Sequence, residues 1–351
     1  MHGPTLTRRR AMLSTLGAGA AAALASRRAQ AQAAAFAPPP ALVEAARKEG
    51  QLTFYTASFT EAEQEVIDAF NKRFPFIRVS MVRASGGQLI TRVRSEAAAG
   101  KLVADIVDHS DRGLMKSVED LFADYAPPNA ADYLPSAMIS GKFWPRITPA
   151  WCIAYNTELA QDVPKTWMDL TKASYAPGTI GQVIAPSGGT TWTRIMFERQ
   201  VLGEDYWRKQ AATKPTLYPS GAPASDALVR GEIQVAPLIC NAIYPKVRDG
   251  APIRLVFPPE GIPVVPYAAG IPKTAAHPNA AKLYLDWGLS PEAQAFTIQN
   301  QGNLTSLKEA PAALQGFDPK ASKVWLPDNA QFATLRDGWV EEWNKTFGYR
   351  Q

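Results

Sequence analysis

Two segments combine glycines with hydroxyl side chains in a form suited to gripping an anion: Ser85-Gly86-Gly87 and Ser187-Gly188-Gly189-Thr190-Thr191. Glycine lets the backbone approach a ligand closely, and the first amides of a following helix point outward at its positive end. The hydroxyls add donors without adding charge. One Ser-Gly pair also serves as a plain cap or turn. Two such loops, in matching places of two halves, point to an anionic group held from both sides. Neither is a phosphate-binding P-loop, because no Gly-Lys-Ser/Thr follows.

Other polar and aromatic residues are predicted near the same place. Ser58, Ser110 and Asn241 fall at strand ends, with Tyr244 just beyond Asn241 and before Pro245. Phe59, Trp151, Tyr155 and Tyr267 could cover an organic body, although Trp151 and Tyr155 equally suit packing between layers. His109 suits either an exposed loop position or a ligand contact.

Catalysis would require a nucleophile with its base, a metal cluster, or paired carboxylates in a pocket. Outside the leader the chain has two histidines, His109 and His277, in unrelated segments. No His/Cys/Asp grouping has metal spacing, and no Gly-x-Ser-x-Gly elbow occurs. The expectation is a protein that is not an enzyme, with no catalytic residue, no bound metal and no cofactor. Cys152 and Cys240 sit in apolar, strand-like runs and read as two buried thiols, with a disulfide as the alternative.

The elements that must position these residues alternate strand and helix. After Pro38-Pro39-Pro40, residues 41–48 read as a short helix stopped by Gly50. Leu52 to Ala57 is β-rich, and Thr60 with Glu63 predicts a capping box before a helix with Ile67, Phe70 and Phe74 on one face. Ile77, Val79 and Met81 alternate with polar residues as a half-buried strand does. A helix through Leu89, Ile90 and Val93, a strand at 104–107 and a helix from Leu114 to Leu121 complete a β-α-β-α-β-α series. That series predicts a largely parallel sheet covered on both faces.

A second series follows, with extended residues 147–155, strands at 180–185, 233–239 and 253–257, and helices at 191–202 and 225–230. Late helices are predicted at 279–288, 291–299 and 328–347, the last carrying a core-packing stripe of Phe332, Leu335, Trp339 and Trp343. In open α/β sheets ligands bind beyond the carboxyl ends of strands, where the two glycine loops fall.

The chain has 351 residues, 46% hydrophobic and 20% charged, enough for two ordinary domains and unlike a disordered protein. The formal charge of +5 is concentrated at the start. Five of the 37 Lys and Arg residues lie in the first forty positions, which hold no Asp or Glu; the rest sets 32 basic against 32 acidic side chains. A neutral body gives no overall electrostatic reason to bind nucleic acid. Residues 1–33 read as an export signal: Arg8-Arg9-Arg10, an apolar run from Ala11 to Ala25, then Ala29-Gln30-Ala31 and Ala31-Gln32-Ala33 as cleavage sites. Arg9-Arg10-Ala11-Met12-Leu13 resembles the twin-arginine form, and a general secretory signal is the alternative.

Several segments resemble the bacterial extracellular solute-binding proteins of ABC importers. They are Leu52-Thr53-Phe54-Tyr55-Thr56, Ala84-Ser85-Gly86-Gly87-Gln88-Leu89, Ala104-Asp105-Ile106-Val107 and Ile153-Ala154-Tyr155-Asn156-Thr157. Pro164-Lys165-Thr166-Trp167-Met168-Asp169-Leu170 and the stretch from Ala281 to Gln294 share the likeness. It covers nearly all of the mature chain, and the branch looks like the one for ferric iron, phosphonates and phosphorylated sugars.

The resemblance implies a two-lobed periplasmic-binding-protein fold of the α/β class, each lobe a mostly parallel sheet flanked by helices, hinged by crossover strands near 147–155 and 265–270. Lobe 1 would comprise residues 36–148 and 268–310, and lobe 2 residues 149–267 and 311–351. Ser58, Ser85-Gly86-Gly87 and Ser110 match the ligand loops of the first lobe; Ser187-Gly188-Gly189-Thr190 and 241–244 match those of the second. Ferric members place two adjacent tyrosines in the last segment, where Asn241-Ala242-Ile243-Tyr244 has one. The implied function is a monomeric periplasmic component that captures a small anionic solute, carboxylate or phosphoryl/phosphonyl, and delivers it to an inner-membrane permease. Ferric iron with a synergistic anion, presentation of a ligand to a sensor kinase, and a periplasmic enzyme on the same scaffold are the alternatives.

Overall fold

The computed structural model describes residues 34–84 and 86–350. The export-signal reading of 1–33 and the assignment of Ser85 to the site therefore lie outside the described residues.

Proline at its first position starts helix α1 (Pro40–Glu49), since a fixed φ suits the first turn and the missing N–H has no partner to lose there. The first series then runs β1 (Gln51–Thr56), α2 (Thr60–Arg73), β2 (Arg78–Arg83), α3 (Gly87–Ala98), β3 (Ile106–His109) and the short α4 (Arg112–Lys116). β4 (Trp144–Pro145) and β5 (Trp151–Asn156) lead into the second series. That series comprises β6 (Gly181–Val183), α5 (Gly189–Phe197), α6 (Tyr206–Ala212), β7 (Thr216–Tyr218), α7 (Gly221–Val229), β8 (Val235–Ile239), α8 (Cys240–Arg248) and β9 (Ile253–Val256). β10 (Ile262–Pro263) is followed by β11 (Ala268–Gly270), which joins the first sheet, and then by α9 (Pro278–Gly288) and α10 (Pro291–Gln301). β12 (Val324–Trp325), α11 (Asn329–Thr334) and α12 (Arg336–Phe347) close the chain.

One sheet has the order β2-β1-β3-β11-β4. β1 pairs in parallel with β2 and β3, in register Leu52↔Val79 and Phe54↔Ile106, and β11 runs antiparallel to β3. The other main sheet, β8-β5-β9, departs from a mostly parallel reading. β5 lies antiparallel to both neighbours, because the chain enters this half along β5 from the other lobe. β6 and β7 pair in parallel beside it, and β10 pairs in parallel with β12.

Each sheet has its own core. Phe54, Phe70, Tyr284 and Trp287 pack under the first sheet with ring centroids 4.9–5.5 Å apart. The stripe on the last helices packs as expected: Phe332 and Trp343 are buried with Trp192 and Trp207, and Trp339 lies against both of the latter. Cys152 and Cys240 are both buried free thiols in one apolar cluster.

Two local expectations are corrected, and one further helix appears that the sequence reading did not anticipate. The capping box at Thr60 does not form: Phe59 is the N-cap, and Glu63 turns inward to Arg146 at 2.6 Å. Arg146 also donates its Nε to Asp108 at 2.6 Å, so a buried ion triad outcompetes a surface cap. Burial pushes the Asp108 carboxyl up to about 6, opposed by Arg146 and aided by Glu63. The single helix expected at 328–347 breaks at Leu335 into α11 and α12. Finally, residues 240–248 form a helix despite Pro245. Proline at the sixth position costs one i→i−4 bond, but most of the helix lies before or after that point.

Candidate functional site

The carboxyl ends of β1, β2 and β3 face those of β6, β7 and β8 across a cleft of about 60 Å³. Ala57, Phe59, Arg83, Gly86 and Ser110 line one side. Ser187, Gly188, Thr190 and Thr191 form much of the other, with Ser220, Gly221 and Ile239. Trp151 and Tyr267, from the two crossover segments, complete the wall.

The two glycine loops sit where the sequence placed them. Gly86 (φ +56°) caps α3 and Gly188 (φ +151°) caps α5, and both backbone shapes favour glycine. The N-termini of two helices are thereby turned toward the cleft, each offering amides at a positive dipole end. Gly189 has a different duty. A Cβ there would fall 2.7 Å from the backbone of Asp111, so its bare Cα lets the second-half loop close on the first.

His109 holds the first-half loops together. Its Nε2 lies 2.8 Å from the Gly86 carbonyl, and its Nδ1 accepts from the Asp111 amide at 2.8 Å. That network assigns a neutral ring with its proton on Nε2. Burial, more than any neighbour, lowers its pKa below the usual value. Both ring nitrogens are spent on backbone, and the ring is absent from the cleft wall. Trp151 does the matching job opposite, its Nε1 donating to the Thr190 carbonyl at 3.0 Å.

Of the described residues lining the cleft, Arg83 alone carries a charge. Its Nε donates to the Ser58 carbonyl at 3.2 Å, and no carboxylate among the described residues pairs with it. Sequence reading missed it. The available signal was its place: the last residue of a strand, two before the first glycine loop. Ser220-Gly221 was also missed, a third Ser-Gly pair opening helix α7, because the three-residue β7 before it was too short to recognise.

The remaining expected residues are distributed as follows. Ser58 is 1% exposed and lies between the lining residues Ala57 and Phe59. Asn241 is 3% exposed in the first turn of α8. Gly87 begins α3 just outside the wall, and Tyr155 lies further along β5. Tyr244 is turned away, its ring against Gly302. Tyr267 is buried, and its phenol is pushed up by burial first and by Asp108 second, so it stays protonated. Among the described residues no group of three or more His, Cys, Asp or Glu side chains could hold a metal ion.

A family model described as bacterial extracellular solute-binding protein matches residues 56–295. A probable ABC transporter periplasmic-binding protein of Sinorhizobium fredii is 25% identical over 294 residues, covering 75% of this chain and 78% of that one. The periplasmic binding protein AfuA of Actinobacillus pleuropneumoniae, with fructose-6-phosphate bound, superposes with a TM-score of 0.70 at 21% identity, covering 86% of this chain and 100% of that one. Iron-bound HitA of Pseudomonas aeruginosa gives a TM-score of 0.67 at 21% identity, covering 84% of this chain and 99% of that one. At such identities the two structures speak to the fold alone, which is that of the two-lobed periplasmic binding proteins.

Proposed function

We propose, from the premise that this chain belongs to the bacterial extracellular solute-binding proteins, that it captures a small anionic organic solute between its lobes for an ABC transporter. The solute is a carboxylate or a phosphoryl or phosphonyl compound. The observation that carries this is the charge of the cleft among the described residues: one guanidinium, Arg83, set among hydroxyls and two helix N-termini, with no carboxylate beside it in the wall. A guanidinium fork matches an oxyanion in two-point fashion. Phe59, Trp151 and Ile239 provide apolar surface for the organic part.

Capture of ferric iron has less support, although HitA of Pseudomonas aeruginosa is iron-bound. Hard Fe³⁺ favours anionic oxygens. The one phenol among the described residues of the cleft, Tyr267, is held protonated by burial, and Tyr244 lies against Gly302. In the same reading, residues 36–148 with 268–310 and residues 149–267 with 311–351 are the two lobes. The core under the first sheet, drawn wholly from the first group, and the two crossover segments support that division, while Ile298 and Leu304 reach across to pack with the second core. The leader directs export to the periplasm by the twin-arginine route, and the mature protein works as a monomer, delivering its solute to a permease without chemistry of its own. Closure over the solute selects the form the permease accepts.

The test is a thermal-shift screen of organic anions, cations and Fe³⁺, followed by calorimetry on the hits with Arg83→Gln. An anionic hit is expected, weakened roughly tenfold to a hundredfold in the variant, matching the 1.5–3 kcal/mol of a charged hydrogen bond. A cationic or uncharged ligand bound equally well by both proteins would overturn the reading.

A further inference from the structure

Two polar side chains beside the cleft are buried with nothing to bond. Asn241 has both its Nδ2 and its Oδ1 unpartnered, and Ser58 has its Oγ unpartnered. Among the described side chains Asn241 is the one amide orphaned at both atoms. Gln182, Gln210 and Asn303 each keep one bonded atom. The two residues stand on opposite sides: Ser58 between the wall residues Ala57 and Phe59, and Asn241 two positions after the wall residue Ile239.

A buried polar atom left unbonded bears its full desolvation cost, so native proteins rarely keep one without a partner. An asparagine orphaned at donor and acceptor bears that cost twice. A hydrophobic residue of similar size would avoid it, and the polar one stands instead in the helical turn that follows the wall residue Ile239.

We infer that the solute carries, apart from its anionic head, a hydroxyl or amide group, and that Asn241, together with Ser58 of the other half, is the specificity residue that reads this group. This rests on the cleft being the solute site. A second carboxylate could satisfy Nδ2 but would set its charge against Oδ1. An ammonium could satisfy Oδ1 and leave Nδ2 unbonded. A hydroxyl or amide both donates and accepts and answers the whole side chain.

The experiment compares matched anions by calorimetry: lactate with propionate, glycerol 3-phosphate with n-propyl phosphate, and a wider library of hydroxylated or amide-bearing anions with their unsubstituted analogues. Wild-type protein should prefer the substituted member by about tenfold or more, because the analogue leaves a buried donor and acceptor unpaired. In Asn241→Leu the preference should shrink toward unity while both members still bind. Ser58→Ala, measured in the same way, should reduce the preference and serves if the Leu variant fails to fold. Three results overturn the inference: an analogue that binds as tightly, a preference that survives both substitutions, or a library in which no substituted anion binds. A variant that gains thermal stability with its preference intact also overturns it and assigns the amide to ordered water. If an unsubstituted anion binds at least as tightly as its substituted partner and is lost in Arg83→Gln, this inference fails alone. If only cations bind, the anion reading fails with it.

Discussion

His109 shows how a residue type with ligand chemistry can be used for positioning instead. Its neutral ring joins the Gly86 carbonyl to the Asp111 amide, fixing two cleft loops relative to each other. Its pKa is depressed by burial, so the folded chain resists a proton that the unfolded chain takes up near pH 6.5. The stability from the neutral ring is therefore full above about pH 6.5 and is lost as pH falls below it through the folded-state pKa. Asp108, raised to about 6, acts oppositely, favouring the fold as pH falls from that value. The comparison that isolates the histidine is wild type against His109→Gln by urea denaturation. Wild type should be more stable by about 1–3 kcal/mol at pH 7.5, and the gap should narrow by pH 5. A gap independent of pH would refute the assigned tautomer. The sequence marked His109 as a loop residue of open role, since nothing in a linear pattern shows that both nitrogens find backbone.

At the scale of elements, the glycine loops before α3 and α5 were legible because caps and turns are written in adjacent residues. Their individual duties were not. Gly188 supplies a backbone shape, whereas Gly189 supplies clearance for Asp111 across the cleft. Gly189→Ala should thus hold the two halves apart, weakening solute binding about tenfold or more while the unfolding temperature of the solute-free protein moves little. Calorimetry with scattering measurements of compaction on adding solute checks this; unchanged affinity would mean the loops do not close on each other. Arg83 passed unnoticed as the end of an alternating strand, and helix α8 was not anticipated across Pro245. In both, a local rule was obeyed or broken only slightly, and the partner that mattered came from a distant element.

For the whole molecule, two ion pairs bridge the proposed lobes without touching the cleft wall. Arg336 of α12 pairs with the buried Asp111 beyond β3, and Arg248 of α8 meets Glu65 of α2 at 3.0 Å. The second pair is about one-third exposed, so Arg248→Ala should weaken solute binding by no more than about fivefold, an effect lost at high salt. Arg336→Ala leaves a buried carboxylate unpaired and should cost more, with less sensitivity to salt. Equal small effects of both would show that neither pair reports on closure. The amino-acid order by itself determined the alternating strands and helices, the punctuating glycines, the neutral body and the kinship, because periodicity, caps and composition are properties of neighbours along the chain. Only the tertiary structure decided that Arg83 stands as the lone charge among the described residues of the cleft, that Tyr244 turns to Gly302, that Glu63 serves Arg146 and that Asn241 is buried unbonded. Those are meetings of residues far apart in sequence, and burial and pairing energies exist only once the fold has brought such groups together.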